Sequence, residues 1–147
     1  MNREKYPFTF NWQAELRKIL LLGSGFVAKP TLDYLARDPN NHITVGELPI
    51  SEDCGWQLAC RTLSKAKQLT ENVQNATPTT VDVSSSKELN SAVAAHDLII
   101  SLIPYTYHVE VIKSAIKFKR NVVTTSYISN AMKALEPESL LTLSGSQ

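Results

Sequence analysis

A chain of 147 residues with fifteen lysines and arginines against fourteen aspartates and glutamates, net charge +1, has the size of one globular domain with a single core. A near-neutral charge without a basic block gives no electrostatic ground for nucleic acid or an anionic membrane surface as partner. No stretch reaches membrane-spanning length, residues 1–17 lack the apolar centre of a secretory signal, and Cys54 and Cys60 are too few for a disulfide framework; a cytoplasmic protein is expected.

The first element carries the strongest signal. Residues 18–28 read KILLLGSGFVA, an apolar strand over 19–22 that breaks into glycines and enters a helix over 26–36. Gly23 permits a tight turn, Gly25 leaves room for a pyrophosphate beside the backbone, and Ala28 stands where a third small residue keeps helix and sheet close. The helix start offers free N–H groups and the positive dipole end to phosphates. Pro30 is tolerable there because it falls in the first turns.

Farther along, short apolar runs alternate with longer amphipathic ones, the signature of βαβ units. Strands are expected over 42–45, 80–83, 97–103 and 121–125, and helices over 63–73, 86–94, 107–118 and 129–135. The 86–94 helix opens on a serine cap. An α/β fold follows: an incomplete, doubly wound Rossmann sheet of about five parallel strands in the order 3-2-1-4-5.

The second strand breaks this pattern. After His42-Ile-Thr-Val45 comes GELPISEDCGWQL, residues 46–58, with Pro49 and two glycines unsuited to a buried strand. Residues 59–61 then read as the missing half of that strand. With 46–58 taken as an insertion in or after the second strand, Arg61 lands about 20 positions beyond Ala28, where a Rossmann unit reads the adenosine ribose. The alternative is an ordinary strand-to-helix loop, which tolerates added length cheaply. An arginine there attracts a 2′-phosphate where an acid would repel it, so NADP is expected over NAD; a solvated surface arginine is the competing reading.

Other chemistry is unsupported. His42, His96 and His108 are scattered without ligand spacing, so no metal site is expected. His108 is the one titrating group near the switch point, and solvent exposure is expected for it. No Tyr-x-x-x-Lys spacing supports a short-chain reductase mechanism, and no catalytic residue is identified.

The segments ILLLGSGFVAKP (19–30), ACRT (59–62), SLIPY (101–105), VVTTSYIS (122–129) and LEPE (135–138) together resemble the fungal saccharopine reductases. These are the NADP-dependent, L-glutamate-forming saccharopine dehydrogenases of lysine biosynthesis. The likeness covers most of residues 18–138 outside the insertion. It implies NADPH-dependent reduction of the imine of α-aminoadipate semialdehyde and L-glutamate. By this resemblance Gly23, Ser24, Gly25, Phe26 and Val27 line the pyrophosphate, and Arg61 with Thr62 holds the 2′-phosphate. Asp82 and Val83 border the adenine, and Ser101, Leu102 and Ile103 lie at the nicotinamide. Pro104, Tyr105, Ser126 and Tyr127 face substrate, although Leu102 and Ile103 as core, Pro104 as strand terminator and the tyrosines as packed aromatics are the plainer alternatives.

The same resemblance implies a homodimer and a substrate domain that this sequence lacks. Saccharopine or its precursors are therefore expected as partners only when such a domain completes the site. Residues 1–17, with Phe8, Phe10 and Trp12, are expected to be a non-family extension, and 139–147 a divergent tail of a truncated or imperfectly spliced product. Catalysis by the chain alone is not expected. An NADP-binding module or sensor acting through a partner subunit, or a non-functional product, are the alternatives.

Overall fold

The computed structural model describes residues 16–48 and 63–137. The elements run β1 (Arg17–Leu22), α1 (Ala28–Leu35), β2 (Asn41–Glu47), α2 (Leu63–Thr70), β3 (Ala76–Thr80), α3 (Ser86–Ala94), β4 (Leu98–Ser101), a 3₁₀ turn (Tyr105–Tyr107), α4 (His108–Lys117), β5 (Asn121–Thr124) and α5 (Asn130–Lys133). All neighbouring strands pair in parallel, in the order β3-β2-β1-β4-β5. This is the expected doubly wound arrangement.

The reason β1 sits centrally is written in its side chains. A strand buried on both faces needs a continuous apolar run, and Leu20, Leu21 and Leu22 are each fully buried. Alternation divides them between two cores. Ile19 and Leu21 join Leu32 of α1, Ile43 and Val45 of β2 and Ala66 of α2. Leu20 and Leu22 join Val81, Val83, Leu89 and Val93 of α3, Ile99 of β4, and Val111 and Ala115 of α4. Each fully buried leucine contributes about 1.5–3 kcal/mol relative to exposure.

Most boundaries shift by a few residues from those expected, and three strands differ for identifiable reasons. β2 extends through Gly46 and Glu47 instead of stopping at Val45, and its register continues with Leu22↔Gly46 and Glu47↔Thr80. Gly46 is accepted because space is tight: a Cβ there would lie 3.0 Å from Leu22 Cδ2 and 3.3 Å from Val81 Cγ2. β3 occupies Ala76–Thr80 and not 80–83, because Pro78 falls on an edge strand, where a missing N–H is harmless. Val81 N–H still bonds Glu47 O at 2.8 Å, so the chain leaves the sheet gradually. β4 begins at Leu98 because Asp97 forms its border: Asp97 N–H donates to Lys18 O, and Lys18 N–H to Asp97 Oδ2 at 2.9 Å.

The helix caps follow the chemistry of their residues. Ser85 caps α3, its Oγ accepting from Glu88 N–H at 3.5 Å, while the Glu88 carboxylate accepts from Asp82 N–H at 3.1 Å. Ser129 caps α5 through Met132 N–H at 3.2 Å.

Candidate nucleotide-binding site

The β1–α1 turn is built around Gly23. Its φ of +103° is closed to L side chains, and a Cβ would lie 3.2 Å from both the carbonyl carbon and the oxygen of Leu102. The glycine therefore lets the turn lie directly against the chain leaving β4. Gly23 N–H donates to Gly46 O and Leu102 N–H to Leu22 O, both at 2.8 Å. Three strand ends, β2, β1 and β4, are thereby fixed around one turn.

Beyond this turn α1 starts without a side-chain cap at Val27 and without an acid in its first turn. Its first N–H groups thus face no competing carboxylate of the helix, which suits an anion. Phe26 and Val27 are exposed, Phe26 at 94 %. Thr31 bonds back to Val27 O through its hydroxyl at 2.6 Å, tightening the entry to the helix.

Two hydroxyls near the strand ends have no hydrogen-bond partner among the described residues, Ser24 Oγ in the turn and Ser101 Oγ at the end of β4. Ser101 is fully buried. Buried polar groups are nearly always paired, so each is a candidate partner for a polar group of a ligand. Leu102 is half-buried against the α1 side of the sheet, and Ile103 is buried against the α4 side. Beside β3, Val83 is buried and Asp82 partly so; Asp82 Oδ1 accepts from Ser84 N–H at 2.8 Å. Pro104 begins the 3₁₀ turn that carries Tyr105. Tyr105 is 70 % and Tyr127 99 % exposed, which removes the packed-aromatic alternative for both. Ser126 is half-buried. Arg61 and Thr62, assigned above to a 2′-phosphate, lie outside the described residues, as do Cys54 and Cys60.

His108 overturns the expectation of solvent exposure: it is 1 % exposed. It opens α4 on the helix's apolar face, three residues before Val111 and seven before Ala115, which are also buried. That spacing was the signal available in the sequence. Its Nε2 lies 3.0 Å from Ile103 O and its Nδ1 2.7 Å from Ser126 Oγ. Burial lowers its pKa below the ordinary histidine value, with the Ile103 carbonyl opposing in part.

Glu47 was also missed, because the strand was expected to end before it. It is an acid at the end of β2, the place from which Rossmann units often read a ribose, but at 3 % exposure it is buried in the protein. Two hollows lined by described residues lie elsewhere. One of about 490 Å³ is lined by Thr44, Thr80, Lys87 and His96 beside β3 and α3, and one of about 810 Å³ by Arg17, Asn41, Leu98 and Asn121 at the strand starts. Ligands of open α/β sheets sit at the opposite, carboxyl ends, where the β1–α1 turn lies.

A parallel sheet with its switch point between β1 and β4, and a glycine turn at that point opening into an uncapped helix, define a Rossmann-type dinucleotide-binding domain. A family model described as "Saccharopine dehydrogenase NADP binding domain" matches residues 19–140, and the chain belongs to that family. Similar proteins include the saccharopine dehydrogenases [NADP(+), L-glutamate-forming] of Pyricularia oryzae, 50 % identical over 82 % of this chain, and of Saccharomyces cerevisiae, 43 % identical over 83 %. This chain covers 24 % of each of those proteins. A solved structure of the apo histidine-tagged Saccharomyces cerevisiae enzyme superposes with TM-score 0.70 and 42 % identity, over 83 % of this chain and 24 % of that one. Another solved structure, "AtPrR2 in apo form", shares the fold at TM-score 0.57 and 14 % identity, over 88 % of this chain and 44 % of that one.

The cofactor of this family is NADP, and the residues present fit it. Gly23 leaves the cradle that a Cβ would fill, and the hydroxyls of Ser24 and Ser101 have no partner among the described residues.

Proposed function

We propose that this chain is the cofactor-binding part of a saccharopine reductase, the NADPH-dependent oxidoreductase of lysine biosynthesis that reduces the imine of α-aminoadipate semialdehyde and L-glutamate. One observation carries the reading: Gly23 is packed against Leu102 at the switch point, with the hydroxyls of Ser24 in the β1–α1 turn and Ser101 at the end of β4 unpartnered among the described residues. Gly23, Ser24, Gly25, Phe26 and Val27 receive the pyrophosphate, Arg61 and Thr62 the 2′-phosphate, and Asp82 and Val83 the adenine. Ser101, Leu102 and Ile103 flank the nicotinamide, while Pro104, Tyr105, Ser126 and Tyr127 face the substrate.

Bound NADPH supplies a hydride. This chain's own residues supply orientation, and hydride transfer further requires a closed, dry site around the imine. A chain spanning about a quarter of its relatives' length provides one wall of such a site. Turnover by this chain alone is therefore absent in this reading. The insertion fits the same account: Gly46 and Glu47 take the two strand positions that Ala59 and Cys60 would hold in an uninterrupted β2.

The test is a thermal melt with NADPH and with NADH. At about 100 times its dissociation constant a ligand stabilises by about 2.7 kcal/mol. A shift with NADPH exceeding that with NADH supports the reading, and no shift with either overturns it. NADPH oxidation with semialdehyde and glutamate should stay at background; measurable turnover would remove the claim of inactivity.

A further inference from the structure

The His108 ring joins the two loops that leave β4 and β5. Ile103 O is a carbonyl and only accepts, so the proton of a neutral ring resides on Nε2. Nδ1 then has only a lone pair, and the sole group 2.7 Å from it that can donate is the Ser126 hydroxyl. The single proton of Ser126 is thereby committed to the ring, and the half-buried oxygen keeps lone pairs that can only accept. Burial of the ring favours this neutral state.

We propose that His108 is a positioning residue which, as the Nε2–H tautomer, fixes the Ser126 hydroxyl as a hydrogen-bond acceptor for an N–H donor of the bound ligand. The inference rests on the NADP-binding reading above. Two ligand groups share the required chemistry: the carboxamide of the nicotinamide, and the ammonium of an amino-acid substrate. A serine whose proton is committed rejects carbonyl and carboxylate oxygens at that point and accepts amide or ammonium hydrogens. The clasp thus sets polarity as well as position.

The experiment uses the full chain and its Ser126→Ala, His108→Phe and His108→Gln variants. NADPH and 2′-phospho-ADP-ribose, which lacks the nicotinamide, are titrated calorimetrically, and saccharopine is then titrated into the NADPH-saturated chain. Ser126→Ala and His108→Phe should weaken the ligand that supplies the N–H donor by about three- to tenfold, the value of one hydrogen bond. Binding of 2′-phospho-ADP-ribose should not change, and His108→Gln, which keeps one donor and one acceptor, should recover most of the loss. A loss confined to NADPH assigns the carboxamide; a loss confined to saccharopine assigns the ammonium.

Equal loss for all three ligands, or for none, overturns the proposal. So does a ¹⁵N imidazole spectrum of the chain showing the proton of His108 on Nδ1. If wild-type chain fails to bind 2′-phospho-ADP-ribose, the cofactor reading itself falls and takes the proposal with it, an outcome distinct from any variant effect.

Discussion

Replacing Gly23 by alanine tests the core of the site with one methyl group. Two costs add. At φ +103° an L residue is strained by about 1–2 kcal/mol. The new Cβ would also stand 3.2 Å from the Leu102 carbonyl group and 3.4 Å from Ile103 Cγ2. The backbone neighbour cannot simply retreat, because Leu102 N–H is bound to Leu22 O at 2.8 Å in the central strand. Overpacking of this kind costs about 1–3 kcal/mol, for a total of about 2–5 kcal/mol. For a domain of this size about 4 °C is lost per kcal/mol, so Gly23→Ala should melt about 8–20 °C below wild type by circular dichroism. NADPH should fail to restore the difference, since the methyl group also occupies the cradle. A variant melting within about 2 °C of wild type would refute the claim that the turn is pressed against β4.

Other substitutions separate stability from binding. Ser101→Ala removes a buried hydroxyl with no partner among the described residues, so it should leave the apo melting temperature unchanged or raised while weakening NADPH binding severalfold by calorimetry. Leu32→Ala empties a fully buried site between α1 and the sheet and should cost about 2–5 kcal/mol in urea unfolding. Arg61→Ala should erase the preference for NADPH over NADH in competition binding while leaving NADH affinity unchanged. The lowered pKa of His108 means that the unfolded chain takes up a proton at higher pH than the folded one. Its contribution to stability is therefore intact above about pH 6.5 and is lost as pH falls from there toward the folded pKa; denaturant titrations from pH 7.5 to 5 should show this loss, and His108→Gln should remove that part of it.

Much of the architecture was legible because β1 and the following glycines combine two unmistakable periods, a continuous apolar run and then an amphipathic helix. Strand order followed from the βαβ alternation. What escaped the sequence was set by neighbours far along the chain. Gly46 reads as a strand breaker, yet Leu22 and Val81 leave no room for anything larger. Pro78 argues against a strand until β3 is known to lie at the edge. His108 read as a surface group because its two partners, at Ile103 and Ser126, are brought to it by separate strands. The glycine turn and Ser101 stood out as candidate site residues from local pattern and resemblance, but that the two serine hydroxyls lack partners among the described residues is a property of the packed fold alone.

The two borders of the sheet are unequal, and Pro78 makes them so. Asn75 O and Val81 N both point at β2, so along this strand the odd-numbered residues bond inward and Pro78 directs its nitrogen outward. A strand arriving at that side would meet a ring carbon where it needs a donor. At β5 the outer rim has no proline between Asn121 and Thr124, and Val123 stands 52 % exposed beside it. Among the described residues, further strand pairing is therefore disfavoured beyond β3 by the missing donor and meets no proline beyond β5. The same proline that obscured the third strand in the sequence protects that side from edge-to-edge aggregation.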